Sequence, residues 1–173
     1  MSTLVNELLS FSKAGVRGRE VELRSVPLAE LARSVLIREA GEHGKIVVEI
    51  DEALRVLAEP ELLARALGNV VRNAIRYAGE SGPIQIGTLV RGEDVVVSVT
   101  DNGPGVPPDS LHRLFDPFYR PEAARTREGG GAGLGLAIVK SCAEACGGSV
   151  SVRNVAPHGL QVDLRLQRAQ RAA

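Results

Sequence analysis

Two glycine-rich stretches hold the residues of this chain best suited to chemistry: Asp101-Asn102-Gly103-Pro104-Gly105 and Gly131-Ala132-Gly133-Leu134-Gly135-Leu136. The first follows a run in which Val95, Val97 and Val99 alternate with the other face, the pattern of a strand that ends at an acid. A carboxylate there can accept a hydrogen bond from an exocyclic amine such as that of adenine. The second stretch opens a helix, where bare backbone N–H groups and the positive end of the helix dipole suit phosphate. Neither of the better-known phosphate loops is present. A Gly-x-Gly-x-x-Gly fingerprint needs a third glycine where Leu136 stands, and no Gly-Lys-Ser or Gly-Lys-Thr occurs. A merely flexible loop would not need Leu134 and Leu136 interleaved with its glycines.

A third group lies upstream. In a helix turning ~100° per residue, Asn69, Asn73, Arg76 and Tyr77 fall within about a quarter turn of one another. An amide oxygen is a hard, neutral ligand suited to Mg²⁺, which takes few protein ligands and completes its shell with phosphate and water. A guanidinium pairs well with phosphate oxygens. A solvated helix face carries the same residue types, so the stripe alone does not decide between the two.

The elements that must position these groups follow from periodicity. A strand is expected at residues 20–25, then a helix with Pro27 in its first turn, running through Leu28, Leu31 and Val35 to about Gly41. Short strands follow at 45–50 and 55–58. Pro60 opens a long amphipathic helix to Ala78, with Leu63, Leu67, Val71 and Ala74 on its buried side. Strands at 84–91 and 94–100 flank the turn at Gly92-Glu93. Residues 106–130 form a long segment bounded by proline and glycine, followed by a helix at 133–146 and strands at 149–154 and 160–166. This mixed order favours an α+β fold: a two-layer α/β sandwich with helices on one face of a mixed sheet and solvent on the other. Ahead of it, Leu4, Leu8 and Phe11 mark a short amphipathic helix that Gly15 and Gly18 end. Its seam reads either as half of a helical hairpin or as a segment folded back on the domain.

Composition bounds the function. At 173 residues and 44% hydrophobic, the chain supports one packed domain with a short appendage. A formal net charge of +0 argues against nucleic acid or an anionic membrane as partner, so any phosphate binding must be local. No apolar run approaches the ~20 residues of a membrane span, and Met1-Ser2-Thr3 does not begin a signal peptide. The expectation is a soluble, intracellular protein. Cys142 and Cys146, one helical turn apart, are too widely spaced for a disulfide and have no zinc-like partners, which leaves two small buried thiols.

The whole set resembles the catalytic, ATP-binding domain of bacterial sensor histidine kinases, members of the GHKL superfamily with the Bergerat fold. Asn69 to Tyr77 is similar to the family's N box, Asp101 to Gly105 to its first G box, Phe115-Asp116-Pro117-Phe118-Tyr119-Arg120 to its F box, and Gly131 to Leu136 to its second G box. The resemblance implies domain limits of 1–18 for a remnant of a dimerisation hairpin and linker, 19–168 for the catalytic domain and 169–173 for a tail. It implies ATP as substrate and Mg²⁺ as cofactor, with Asn73 as metal ligand. Asn69 would support metal and phosphates, and Arg76 and Tyr77 would contact the phosphates. Asp101 would read the adenine amine beside Gly103, Gly105 and Val106. Gly131, Ala132, Gly133, Leu134 and Gly135 would receive the phosphates, and Leu136 would wall the adenine. Residues 106–130 would be the ATP lid. Arg120 within it would neutralise the γ-phosphate, so Asn69, Arg76 and Arg120 would be the catalytic set.

The partners implied are ATP and ADP, a phosphoacceptor hairpin of the same or a sister kinase, and a downstream response regulator. An intact kinase of this kind would work on the cytoplasmic side of the inner membrane. A non-catalytic nucleotide-binding regulator and an anti-sigma-factor-type serine kinase share the fold and are the alternatives. Hydrolytic relatives carry a glutamate where this chain has Asn69, so fast ATP hydrolysis is not expected. The family's acceptor histidine stands next to an acid and shortly before a proline. None of the three histidines, His43, His112 and His158, fits that pattern. Incubated alone with labelled ATP, this chain is therefore expected to form no acid-labile phosphohistidine, and a stable one would contradict the assignment.

Overall fold

Three valines spaced two apart make β5 the spine of the molecule. The computed structural model describes residues 21–41, 45–78, 81–122 and 131–170; the expected N-terminal helix, its linker and His43 lie outside these. In chain order the elements are β1 (Arg24–Pro27), α1 (Leu28–Glu39), β2 (Ile46–Glu49), β3 (Arg55–Ala58), α2 (Pro60–Ala78), β4 (Ile84–Arg91), β5 (Asp94–Thr100), a 3₁₀ turn (Pro108–Arg113), α3 (Gly135–Ala145), β6 (Ser149–Asn154) and β7 (Leu160–Gln167). Five strands form one sheet in the order β2-β4-β5-β7-β6. Only the β2–β4 pair is parallel, so the sheet is mixed.

Register decides which face is wet. Val95, Val97 and Val99 stand opposite Leu166, Leu164 and Val162 of β7, and all six are buried under the helices. On the outer face the Ser98 hydroxyl donates to Asp163 Oδ1 at 2.6 Å, and Arg165 Nε donates to Asp94 at 2.7 Å. This is the two-sided alternation of an antiparallel sheet with one solvated face. The helices form a single layer in which α2 packs against both α1 and α3. Leu63, Leu67, Val70, Val71 and Ala74 of α2 point to the sheet at helical spacing. The α2 start is fixed by Glu59, whose carboxylate accepts the N–H groups of Glu61 at 3.2 Å and Leu62 at 2.7 Å, with Pro60 in the first helical position. No described helix is long and apolar enough to cross a membrane. Cys142 and Cys146 are free and buried, and burial pushes the Cys142 thiol up to about 11.

Three local expectations need correction. Pro27 does not sit in the first turn of α1. It closes β1 opposite Arg55, and the first helical N–H, that of Leu28, goes to Leu54 O at 3.0 Å. The strand read at residues 20–25 is accordingly Arg24–Pro27. It pairs antiparallel with β3 in a separate two-stranded ribbon, joined to the main sheet by a bridge between Val56 and Arg168. The last helix starts at Gly135 rather than Gly133, because Gly133 has φ +78°, a left-handed conformation that no α-helix contains.

One tie between helices was invisible in the sequence. The Glu39 side chain, only 11% exposed, accepts Arg72 at 2.5 Å and Arg38 Nε at 2.9 Å. It lies against Gly68, where a Cβ would come within 3.2 Å of Glu39 Oε1. A glycine inside a helix costs about 1 kcal/mol relative to alanine, and here it makes room for the carboxylate. Burial alone would raise the Glu39 carboxyl; the Arg72 and Arg38 guanidinium groups more than offset it and hold it below 4.5, its ordinary value. A lowered acid contributes stability above its unfolded value and loses it as pH falls through the folded one. Glu39→Gln should therefore melt at a lower temperature than the parent at pH 7, by about 2–4 °C per kcal/mol lost. The gap should narrow as pH falls below 4.5, which melting curves at pH 7 and pH 3 would check.

Candidate functional site

The site is a cavity of about 490 Å³ between α2, the end of β5, the start of α3, the start of β7 and the segment after Val106. Asn69, Asn73, Arg76 and Tyr77 all line it, so the stripe on α2 faces this cavity and not open solvent. Asn69 is a buried polar residue, 6% exposed. Its amide nitrogen donates to Arg65 O at 2.9 Å, which assigns the amide orientation and leaves the oxygen for the cavity. The Asn73 amide lies where a Cβ on Gly135 would come within 3.3 Å, so α2 and the start of α3 meet at the two residue types expected to share phosphate and metal.

At the other end, Asp101 is 6% exposed. Its Oδ1 accepts the N–H of Gly103 at 2.8 Å and of Leu160 at 3.2 Å, and its own N–H donates to Leu160 O at 3.0 Å. Two donors hold one oxygen, which leaves the other for an amine. Burial raises the carboxyl above its ordinary value, and the two N–H groups offset that only in part.

Gly105, Val106, Arg120, Gly131, Gly133, Gly135 and Leu136 also line the cavity. Three expected nucleotide-side residues do not. Leu134 is fully buried in the hydrophobic core and accepts the Ile138 N–H at 2.9 Å, so it anchors the glycine run from behind. Ala132 is packed partly against that core. Gly103 lies behind the wall, where a Cβ would meet Tyr77 O at 2.9 Å. The two leucines that alternate with the glycines thus divide the work: Leu134 holds the core and Leu136 faces the site.

Sequence reasoning missed several wall residues. Val99, Leu160 and Val162 supply the apolar floor from the sheet. Only strand pairing brings β7 beside β5, so no local signal marks them. Arg72 also lines the cavity, held by Glu39; its place on α2 one turn from Asn69 and Arg76 was a readable sign. In the segment after Val106, the Tyr119 hydroxyl bonds Ser110 Oγ at 3.1 Å and the Arg113 guanidinium sits 4.2 Å from the Tyr119 ring centre. Phe118 N–H donates to Gly133 O at 3.0 Å, which staples the aromatic segment to the glycine run.

A family described as "Histidine kinase-, DNA gyrase B-, and HSP90-like ATPase" matches residues 58–170, from the end of β3 to just past β7. The chain belongs to this family. Within it, the sensor histidine kinase YkoH of Bacillus subtilis is 35% identical over 167 residues, which cover 95% of this chain and 36% of YkoH. Among solved structures, full-length ShkA in complex with AMPPNP superposes with a TM-score of 0.80 at 32% identity, over 99% of this chain and 36% of that one. The catalytic domain of histidine kinase ThkA superposes at 0.74 and 29% identity, over 85% of this chain and 96% of that domain. This chain thus spans about a third of the length of the curated relatives it matches, and nearly all of an isolated kinase catalytic domain. Its α+β sandwich is the Bergerat fold of these catalytic domains.

The staple between the aromatic segment and the glycine run is open to test. A Cβ on Gly133 would stand 2.9 Å from Phe118 C and Tyr119 O, at a φ that alanine adopts at a cost of about 1–2 kcal/mol. Gly133→Ala should release the aromatic segment and speed chymotrypsin cleavage after Phe118 or Tyr119 several-fold, read by mass spectrometry of timed digests.

Proposed function

We propose that this chain binds ATP with Mg²⁺ in the cavity and supplies the catalytic half of a histidine autokinase. Its γ-phosphoryl group would pass to a histidine on a dimerisation hairpin and onward to a response regulator. The observation that carries this reading is the pairing of a buried, half-satisfied carboxylate at one end of the cavity with a wall of amides and arginines at the other. Asp101 accepts the adenine amine. Leu136, Leu160 and Val162 exclude water around the base. The backbone N–H groups at Gly133 and Gly135 meet the phosphates, with Arg76 opposite.

The donor set fits the metal. Asn73 offers a neutral oxygen, and no group of three or more His, Cys, Asp or Glu among the described residues forms an all-protein cage. Mg²⁺ takes few protein ligands beside phosphates and water, and when bound it would neutralise charge on the phosphate oxygens. In the transfer a bond forms between phosphorus and the acceptor nitrogen while the bond to the β-phosphate oxygen breaks, releasing ADP. Arg120 and Arg76 offset the charge on the transferring group, an electrostatic role that needs positioning and no covalent chemistry. YkoH is a sensor histidine kinase and ThkA a histidine kinase, which favours this reading over a non-catalytic regulator or a serine kinase.

Two measurements test it. Mixed with a separate phosphoacceptor hairpin and Mg-ATP, the chain should label the hairpin on histidine; tight nucleotide binding without transfer would favour the regulator. Asp101→Ala or Asn73→Asp should weaken ATP binding by at least about ten-fold, since each removes an interaction worth about 1.5–3 kcal/mol, without loss of fold by circular dichroism. The pH dependence has a definite sign. Protonated Asp101 loses its acceptor role and its carboxyl titrates above 3.8, so calorimetric ATP affinity should fall on acidification from a higher pH than an ordinary aspartate dictates.

A further inference from the structure

The turn between β6 and β7 grips the adenine end of the cavity from outside, through residues that neither glycine box contains. Asn154, the last residue of β6, reads the backbone of Val106 in both directions. Val106 N–H donates to Asn154 Oδ1 at 3.0 Å, and Asn154 Nδ2 donates to Val106 O at 2.7 Å. Next to it Gly105 has φ +69°, and a Cβ there would stand 2.7 Å from Asn154 Oδ1. The glycine is required both for its backbone conformation and for the approach of this side chain. Two more contacts close the same seam: His158 Nδ1 lies 2.9 Å from Asn102 O, and Gly159 lies so close to Asp101 O that a Cβ would collide with it. Gly105 and Val106 both line the cavity, and residue 106 is where the long lid segment leaves it.

We propose that Asn154 is a positioning residue for the nucleobase pocket. Acting like one extra rung of sheet, its amide fixes the Gly105–Val106 backbone against β6. The wall beside Asp101 is therefore held in one geometry from outside the cavity. Asn154 itself does not line the cavity, so its influence passes through Val106. Because the effect belongs to the base end, it must be the same for every ligand that carries adenine, whatever its phosphates. The inference rests on the ATP reading above.

The experiment is calorimetric binding of adenosine, ADP, ATP and GTP to the full chain with Mg²⁺, for the parent, Asn154→Ala and Asn154→Asp. The aspartate keeps the acceptor for Val106 N–H but sets a carboxylate oxygen against Val106 O, and so removes one of the two bonds by a different route. Both variants should bind adenosine, ADP and ATP more weakly by a common factor of roughly three to ten, the loss expected from one or two partly exposed hydrogen bonds. The ATP-over-GTP preference should narrow, with melting temperatures within a few degrees of the parent. Parent-like binding by either folded variant would overturn the proposal. A loss confined to ATP, or an equal loss of ATP and GTP accompanied by a large fall in melting temperature, would do so as well. A parent chain that binds no nucleotide would overturn the ATP reading and this proposal together, whereas a binding parent with indifferent variants would overturn the proposal alone.

Discussion

The register in which β5 pairs with β7 is the constraint on which the rest of the structure depends. It sets Val95, Val97 and Val99 against Leu166, Leu164 and Val162 on the helix side, and it leaves Ser98 and Asp163 outside. The same ladder runs out at Asp101, whose N–H and Oδ1 are both engaged by Leu160. A slip of one residue would turn the valines to solvent and carry the carboxylate away from the cavity. Hydrophobic burial and the placement of a reactive group are thus one event.

Helix α2 extends that economy around its circumference. One side buries Leu63, Leu67, Val70, Val71 and Ala74 against the sheet, and the adjoining stripe presents Asn69, Asn73, Arg76 and Tyr77 to the cavity. The most buried amide of the polar stripe is not left unsatisfied: Asn69 uses its nitrogen on the preceding turn. Charge is handled locally as well. The chain has no net charge, yet Arg72, Arg76 and Arg120 all reach one wall, and Glu39 balances the first of them from α1.

Much of this was legible in the residues. The strands expected at 55–58, 84–91, 94–100 and 149–154 stand where the structure has them, and Pro60 with its apolar stripe placed α2 to its last residue. The misreadings arose where two local solutions compete. Pro27 suits a helix start and a strand end alike, and the choice fell to its pairing with Arg55. Glycine permits a helix at Gly133, but the backbone of Phe118 and Tyr119 lies against it and Gly133 turns left-handed.

The sequence by itself determined the period of each element, the two-sided sheet, and the residue types gathered for an adenine nucleotide, because these are encoded within windows of a few residues. Only the tertiary structure decided that β1 and β3 form their own ribbon, that Leu160 and Val162 floor the cavity, that Glu39 reaches Arg72, and that Asn154 clasps Val106. Each of these joins residues more than 25 positions apart through a backbone ladder or a single side chain. Such contacts are selected by the burial of the whole core and leave no periodic trace in the residues that make them.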